Sequence, residues 1–187
     1  KANEAVMRNL FTSPGFGIAP GNVKTVEGTG KDKATSWSDV KDELNGMNLK
    51  CCDEVFFYYT AHGAEAANND EYTGAPALGP GTNPNEDLIT PKNLADFITE
   101  SKACKWALIA DSCYSGNFTG WVRTHLKGND EAKGKTVATF AAAFADEAAL
   151  NAVWVQPDGS SVLGGAYTQL VLRGVQKSSD AAQDPWS

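Results

Sequence analysis

Two side chains of this sequence, Cys113 and His62, have the chemistry needed for nucleophilic catalysis. A thiol is a weak nucleophile until a neighbouring imidazole takes up its proton, so Cys113 is a candidate nucleophile and His62 its candidate general base. Each follows an apolar run, residues 106–110 before Cys113 and residues 55–59 before His62. Because parallel α/β sheets bind ligands beyond the carboxyl ends of their strands, two neighbouring strands here would bring both side chains to one sheet edge.

Each residue also has a less specific interpretation. A cysteine at a strand end is more often structural, and His62 on its own could be an ordinary surface side chain. The occurrence of both at strand ends favours catalysis. The only other histidine, His125, lies between Arg123 and Lys127 in a polar helical segment and is interpreted as solvated.

Helix-like and strand-like patterns alternate along the chain, which predicts an α/β fold with right-handed crossovers and a mainly parallel sheet. The predicted strands cover residues 22–27, 55–59, 106–110, 136–144 and 153–155. The predicted helices cover residues 3–11, 37–47, 117–126 and 166–175, together with one that begins at Thr90-Pro91. Residues 64–85 are polar and lack periodicity, which predicts a long loop beside His62.

The composition fits a single domain over residues 1–187 with an ordinary hydrophobic content of 42%. A net charge of −7 argues against a nucleic-acid partner. No apolar run is long enough for a transmembrane helix, so no membrane partner is predicted. The compartment stays open, with a soluble, cytoplasmic location favoured.

The other three cysteines, Cys51, Cys52 and Cys104, come just before the two central strands. Their spacing is not that of a metal site, and no metal ligands are predicted. If the strands are parallel neighbours, a disulfide from Cys51 or Cys52 to Cys104 is conceivable. The alternative is that these cysteines are buried, reduced thiols.

The segments Phe-Tyr-Tyr-Thr-Ala-His-Gly, ending at Gly63, and Ala-Asp-Ser-Cys-Tyr-Ser-Gly, ending at Gly116, resemble the motifs of caspase-like cysteine peptidases, in particular metacaspases and their bacterial relatives. The resemblance extends over residues 1–175, and the spacing of 51 positions between His62 and Cys113 is close to that of caspases. Many metacaspases have Ser-Gly where this chain has Thr60-Ala61. The resemblance implies a caspase-like three-layer sandwich, in which a central, mostly parallel sheet carries helices on both faces.

The resemblance also implies roles for residues beside the pair. The backbone N–H groups of Gly63 and Cys113 would stabilise the oxyanion of a tetrahedral intermediate. Asp111 and Asp146 would bind an Arg or Lys side chain of the substrate. The alternative for Asp111 is a loop cap, and for Asp146 it is a helix N-cap or a surface acid.

Two loops could carry further family features. Residues 127–135 form a charged linker whose lysines, Lys127, Lys133 and Lys135, are candidate self-cleavage points, unless the linker is a plain surface loop. Some metacaspases need calcium, and the oxygen-rich residues 68–71 could bind it, unless they are simply solvated. Domains of this family begin with a strand ahead of the first helix, and the sequence does not show that strand.

The sequence therefore predicts a cysteine endopeptidase that cuts a peptide or protein after Arg or Lys through a thioester acyl-enzyme. No cofactor is required, and calcium is a candidate. One alternative is a non-catalytic caspase-like scaffold or regulator. Scaffolds of this kind usually lose the histidine or the cysteine, so the presence of both favours an enzyme. A third interpretation is a Cys-His hydrolase or acyltransferase for non-peptide substrates.

Overall fold

A computed structural model describes residues 2–26, 35–65, 70–78, 84–155 and 161–171. They belong to two compact units, a larger one over Thr25–Ala149 and a smaller one that combines Lys1–Lys24 with Leu150–Ser187. In chain order the elements are α1 (Ala2–Thr12), α2 (Trp37–Gly46), β1 (Glu54–Thr60), α3 (Pro84–Asp87), α4 (Pro91–Glu100), β2 (Lys105–Asp111), α5 (Ser115–Lys127), β3 (Thr136–Ala141), β4 (Asn151–Val155), β5 (Ser161–Gly165) and α6, which covers residues 166–171.

The larger unit contains a three-stranded parallel sheet in the order β1-β2-β3. The register pairs Glu54 with Lys105 at one end of β1 and Thr60 with Asp111 at the other. The α/β class is confirmed, as is the prediction that the two central strands are parallel neighbours. The carboxyl ends of β1 and β2 therefore meet at the same sheet edge.

Aromatic side chains pack helices onto one face of this sheet. Phe97 of α4 lies edge-on to Trp106 of β2, with ring centroids 6.1 Å apart, and Trp37 of α2 packs on Phe97 at 6.5 Å. Phe118 of α5 meets Tyr59 of β1 at 5.5 Å. Because side chains alternate along a strand, Trp106 and Tyr59 belong to the same face, and this face is the core of the larger unit.

Side-chain N-caps begin two helices of the larger unit. The Ser36 side chain accepts a hydrogen bond from the Asp39 N–H, and the Asp39 carboxylate accepts one from the Ser36 N–H, which completes a capping box at α2. Thr90 accepts from the Asn93 N–H at the start of α4, where Pro91 is the first helical residue.

The smaller unit contains α1, the antiparallel β4-β5 hairpin and α6. The Asn3 side chain accepts from the Gly165 N–H at 3.3 Å, which ties α1 to β5. The predicted strand at residues 153–155 is confirmed in a longer form, and the last predicted helix begins at residue 166 as expected. In the part of the chain that is described, no helix combines the length and the apolar character needed to cross a membrane.

Three secondary-structure predictions are wrong, one for a whole strand and two for where an element or loop ends. The strand predicted at residues 22–27 does not form over residues 22–26, because the Asn22 and Val23 N–H groups bond back to Ala19 and Pro20 in a 3₁₀ turn. The strand predicted at residues 136–144 ends at Ala141, since the next two N–H groups bond to a side chain. The loop predicted at residues 64–85 gives way to α3 at Pro84.

Replacing Ile98 by alanine tests the packing of α4. This side chain is fully buried between the helices and the sheet, so Ile98→Ala should lower the free energy of unfolding by about 3 kcal/mol. Urea denaturation measures the change. The exposed Glu100→Ala on the same helix is the control and should change stability little; equal effects of the two variants would contradict this core.

Candidate active site

The register of β1 and β2 brings the two sequence motifs to the same place. His62 lies two residues after Thr60 and Cys113 two residues after Asp111, and these last strand residues are paired with each other. The backbones touch beyond the sheet edge, because a Cβ atom added to Gly63 would lie 2.0 Å from the carbonyl oxygen of Cys113. The His62 side chain is exposed and Cys113 is partly exposed, so a substrate can reach both.

The segment that follows β1 is held by backbone hydrogen bonds. The Ala77 N–H donates to the His62 carbonyl at 2.9 Å, and the Ala64 N–H donates to Ala75 at 2.9 Å. The Gly74 N–H returns a bond to Ala64 at 2.8 Å. These bonds form a short antiparallel pairing, so His62 stands on a fixed backbone and not on a free loop.

Cys113 occupies a sharp bend between β2 and α5. Tyr114, the N-cap of α5, has φ 57° and ψ 20°, a left-handed conformation that costs a non-glycine residue about 1–3 kcal/mol. Gly74 makes room for this bend, because a Cβ atom there would lie 2.1 Å from the Tyr114 carbonyl oxygen. Such local strain is characteristic of functional sites and must be held by the surroundings.

Hydrogen bonds to the segment after β3 supply that restraint. The buried Ser115 hydroxyl accepts from the N–H groups of Ala142 and Ala143 at 3.0 and 3.2 Å. The Tyr114 N–H donates to the Glu147 carbonyl at 2.7 Å, and the Gly116 N–H donates to Ala143 at 3.0 Å. Sequence reasoning missed Ser115, because no local pattern shows that its hydroxyl will meet a segment from another strand.

A neutral polar group lies below the bend. Burial raises the pKa of the Tyr59 phenol well above its usual range, so this hydroxyl stays protonated. It accepts a hydrogen bond from the Ser112 hydroxyl at 3.3 Å and donates one to the Gly74 carbonyl at 3.5 Å. Tyr59 thus links β1 to Ser112 of the second motif and to Gly74 without adding charge.

The two predicted pocket acids have different surroundings. Asp111 ends β2 and is only 4% exposed, so its carboxylate is largely removed from water. Asp146 is exposed in the segment after β3, next to Glu147, whose carbonyl holds Tyr114. Both residues therefore belong to segments that adjoin Cys113. Asp111 is buried there and Asp146 is exposed.

The linker at residues 127–135 has more structure than its sequence suggests. It contains a 3₁₀ helix, Asp130–Ala132, and Lys133 forms an exposed ion pair with Asp130 at 2.9 Å. The Lys135 ammonium donates to the carbonyls of Ser101 and Ala103, which holds it in place. Lys127, at the end of α5, is exposed.

Of the predicted calcium ligands, Asn68 and Asn69 lie outside the described residues. The Asp70 carboxylate accepts from two backbone N–H groups, and Glu71 lies 3.2 Å from the Nε2 atom of His125. The prediction of a solvated His125 is therefore wrong, because the ring is partly buried against this acid. Among the residues that the structure covers, no three His, Cys, Asp or Glu side chains are grouped to hold a metal ion.

The three cysteines before the strands are not buried as one alternative supposed. Cys51 and Cys52 are exposed, Cys104 is partly exposed, and all are free thiols. Cys51 is the one that approaches Cys104. These cysteines are exposed because the turn before β1 lies at the surface, beside the loop that leads into β2.

No protein-family model and no curated protein sequence matches this chain. The chemistry of the site has to be inferred from its own residues.

Replacing Gly63 by alanine tests the close approach of the two motifs. A methyl group there overlaps the Cys113 carbonyl, so Gly63→Ala should lower the free energy of unfolding by about 1–3 kcal/mol. Gly120→Ala in α5 is the control. The added methyl group meets no atom within 4 Å there, so this variant should stabilise the helix by about 0.5–1 kcal/mol. Urea denaturation measures both, and equal stability of the two variants would contradict the contact.

Replacing Ser115 by alanine tests the restraint on the Cys113 bend. The Ala143 N–H would lose its acceptor, whereas the Ala142 N–H would keep a second bond to Ala110. We expect the free energy of unfolding to fall by about 1–3 kcal/mol. The exposed Ser38→Ala serves as the control in the same thermal or urea experiment. An unchanged stability for Ser115→Ala would show that the hydroxyl is not needed there.

Proposed function

We propose that this protein is a caspase-like cysteine endopeptidase with Cys113 as nucleophile and His62 as general base. The observation that carries the proposal is the shared sheet edge, where Gly63 and Cys113 are in backbone contact. A thiol and an imidazole on two rigid strand ends are the components of an activated nucleophile. The proposal includes the three-layer arrangement with helices on both faces of the sheet.

The reaction would begin when His62 takes the Cys113 proton and the thiolate attacks the scissile carbonyl carbon. The N–H groups of Gly63 and Cys113 would then stabilise the oxyanion. His62 would return the proton to the leaving amine, which leaves a thioester on Cys113. Water, deprotonated by His62, would hydrolyse the thioester and regenerate the free thiol.

The substrate class follows from the charges beside Cys113. Asp111 is a carboxylate with little exposure to water, where pairing with a cationic side chain is stronger than at the surface. The exposed Asp146 would add a second negative charge at the rim. We therefore propose cleavage after Arg or Lys, and Lys127 and Lys133 are the linker residues open enough to be cut by another copy of the protein.

Fluorogenic peptides ending in Arg, Lys or Asp test both the activity and the pocket, with and without calcium. We expect turnover after Arg and Lys, and a fall in kcat/KM of at least about 1000-fold in Cys113→Ala and in His62→Ala. Asp111→Asn should lower kcat/KM for these basic peptides by about 10–100-fold. Cys52→Ala, an exposed cysteine at the other sheet edge, is the matched control and should retain activity.

Each other outcome has a definite meaning. Cleavage only after Asp would keep the nucleophile and reject Asp111 as the specificity residue. No cleavage by a protein that unfolds cooperatively would reject the peptidase and favour a scaffold or regulator. Activity that survives Cys113→Ala would place the nucleophile elsewhere.

A further inference from the structure

The amino edge of the sheet, opposite His62 and Cys113, holds a second pair of reactive groups. Cys51 comes just before β1 and Cys104 just before β2, and their sulfur atoms lie 3.6 Å apart. Both are free thiols, one exposed and one partly exposed, so a small molecule can reach them. Cys52, adjacent in sequence, contacts Cys51, and it is Cys51 that approaches Cys104.

Backbone hydrogen bonds hold both cysteines near this geometry. Cys51 lies in a turn that is closed by a Lys50 N–H bond to the Asp53 carboxylate at 2.7 Å and an Asp53 N–H bond to Lys50 at 3.0 Å. The Cys104 carbonyl accepts from the Thr136 N–H at 2.7 Å. A disulfide has sulfurs about 2 Å apart, so the two sulfur atoms, now 3.6 Å apart, would have to approach further to form it.

Neighbouring groups act on the Cys51 thiol in opposite directions. The hydrogen bond with Cys104 raises the pKa of Cys51, whereas a hydrogen bond with the Cys52 side chain and, to a smaller extent, the ammonium of Lys135 oppose part of that rise. Lys135 is itself held by the carbonyls of Ser101 and Ala103. When one of the two sulfurs loses its proton to solvent, the other thiol can donate a hydrogen bond to the resulting thiolate, which is the attacking group in exchange.

We propose that Cys51 and Cys104 are a redox-active dithiol that reacts with small-molecule disulfides of the glutathione type. One protein thiolate attacks the small disulfide, breaks its S–S bond and releases one small thiol. The second protein thiol then attacks the mixed disulfide, forms the Cys51–Cys104 bond and releases the other small thiol. The protein loses two electrons and two protons, and the small disulfide gains them as two thiols.

The bond would close a loop from residue 51 to residue 104 and link the amino ends of β1 and β2. Cross-linking stabilises a fold mainly by restricting the unfolded chain, and more for long loops. The oxidised protein should therefore melt at a temperature higher by about 5 °C or more. This effect does not depend on the proposed peptidase activity.

The test uses the full chain with Cys113→Ala, so that the exposed edge pair is not confused with the candidate nucleophile. The protein is incubated with oxidised glutathione, free thiols are alkylated, and intact mass and peptide maps are recorded. We expect loss of two hydrogen atoms and a peptide cross-linked through Cys104. The cross-link should persist in Cys52→Ser and disappear in Cys51→Ser and Cys104→Ser, and melting curves should show the rise only where it forms.

The opposite results would overturn the proposal. A cross-link that survives Cys51→Ser, or one that is lost in Cys52→Ser, would show that Cys51 and Cys104 are not the reacting pair. Accumulation of glutathione adducts alone, or no reaction, would exclude the exchange step. A cross-link without a higher melting temperature would reject its stabilising role.

Discussion

The parallel pairing of β1 with β2 is the interaction on which the rest of the larger unit depends. Its register places Thr60 beside Asp111. The backbones of the two motifs, which follow these residues, are thereby brought into contact. A shift of one residue would move one strand by about 3.3 Å along the other and turn its side chains to the opposite face. Tyr59 or Trp106, depending on which strand moved, would then leave the helix that covers it, and this loss of buried aromatic surface holds the register in place.

The close approach of the two chain segments beyond the strands is a second constraint, and it depends on residues without side chains. Gly63 and Gly74 lie against the carbonyls of Cys113 and Tyr114, where no Cβ atom fits. The left-handed Tyr114 is tolerated because Ser115 and the Glu147 carbonyl hold the bend from the segment after β3. The backbone that carries Cys113 is therefore held in a single conformation by contacts from two other segments of the chain.

The two edges of the sheet hold cysteines in different surroundings. At the carboxyl edge, Cys113 lies on a strained bend whose backbone touches Gly63. At the amino edge, Cys51 and Cys104 lie in the segments just before β1 and β2, and their sulfur atoms are in contact. Because rigid paired strands connect the edges, a cross-link at one end would bear on the register that the other end requires.

Much of this arrangement could be predicted from the sequence, because it follows from local patterns. The apolar runs before His62 and Cys113 are strands, their alternation with helices implies parallel neighbours, and Ser36 and Thr90 are recognisable caps. Each of these signals depends on the chemistry of a few consecutive residues. The position of His62 and Cys113 just beyond two neighbouring strand ends was predictable for the same reason.

Other features were decided only by the tertiary structure, because they join residues far apart in the chain. Ser115 meets residues of the next strand's loop, His125 meets Glu71, and Cys51 rather than Cys52 meets Cys104. No local pattern encodes which of two adjacent thiols will point at a partner 53 positions away. The sequence determined which residues form the two central strands, because consecutive apolar residues are a local signal, and packing of the strands and helices decided which residues beyond them touch.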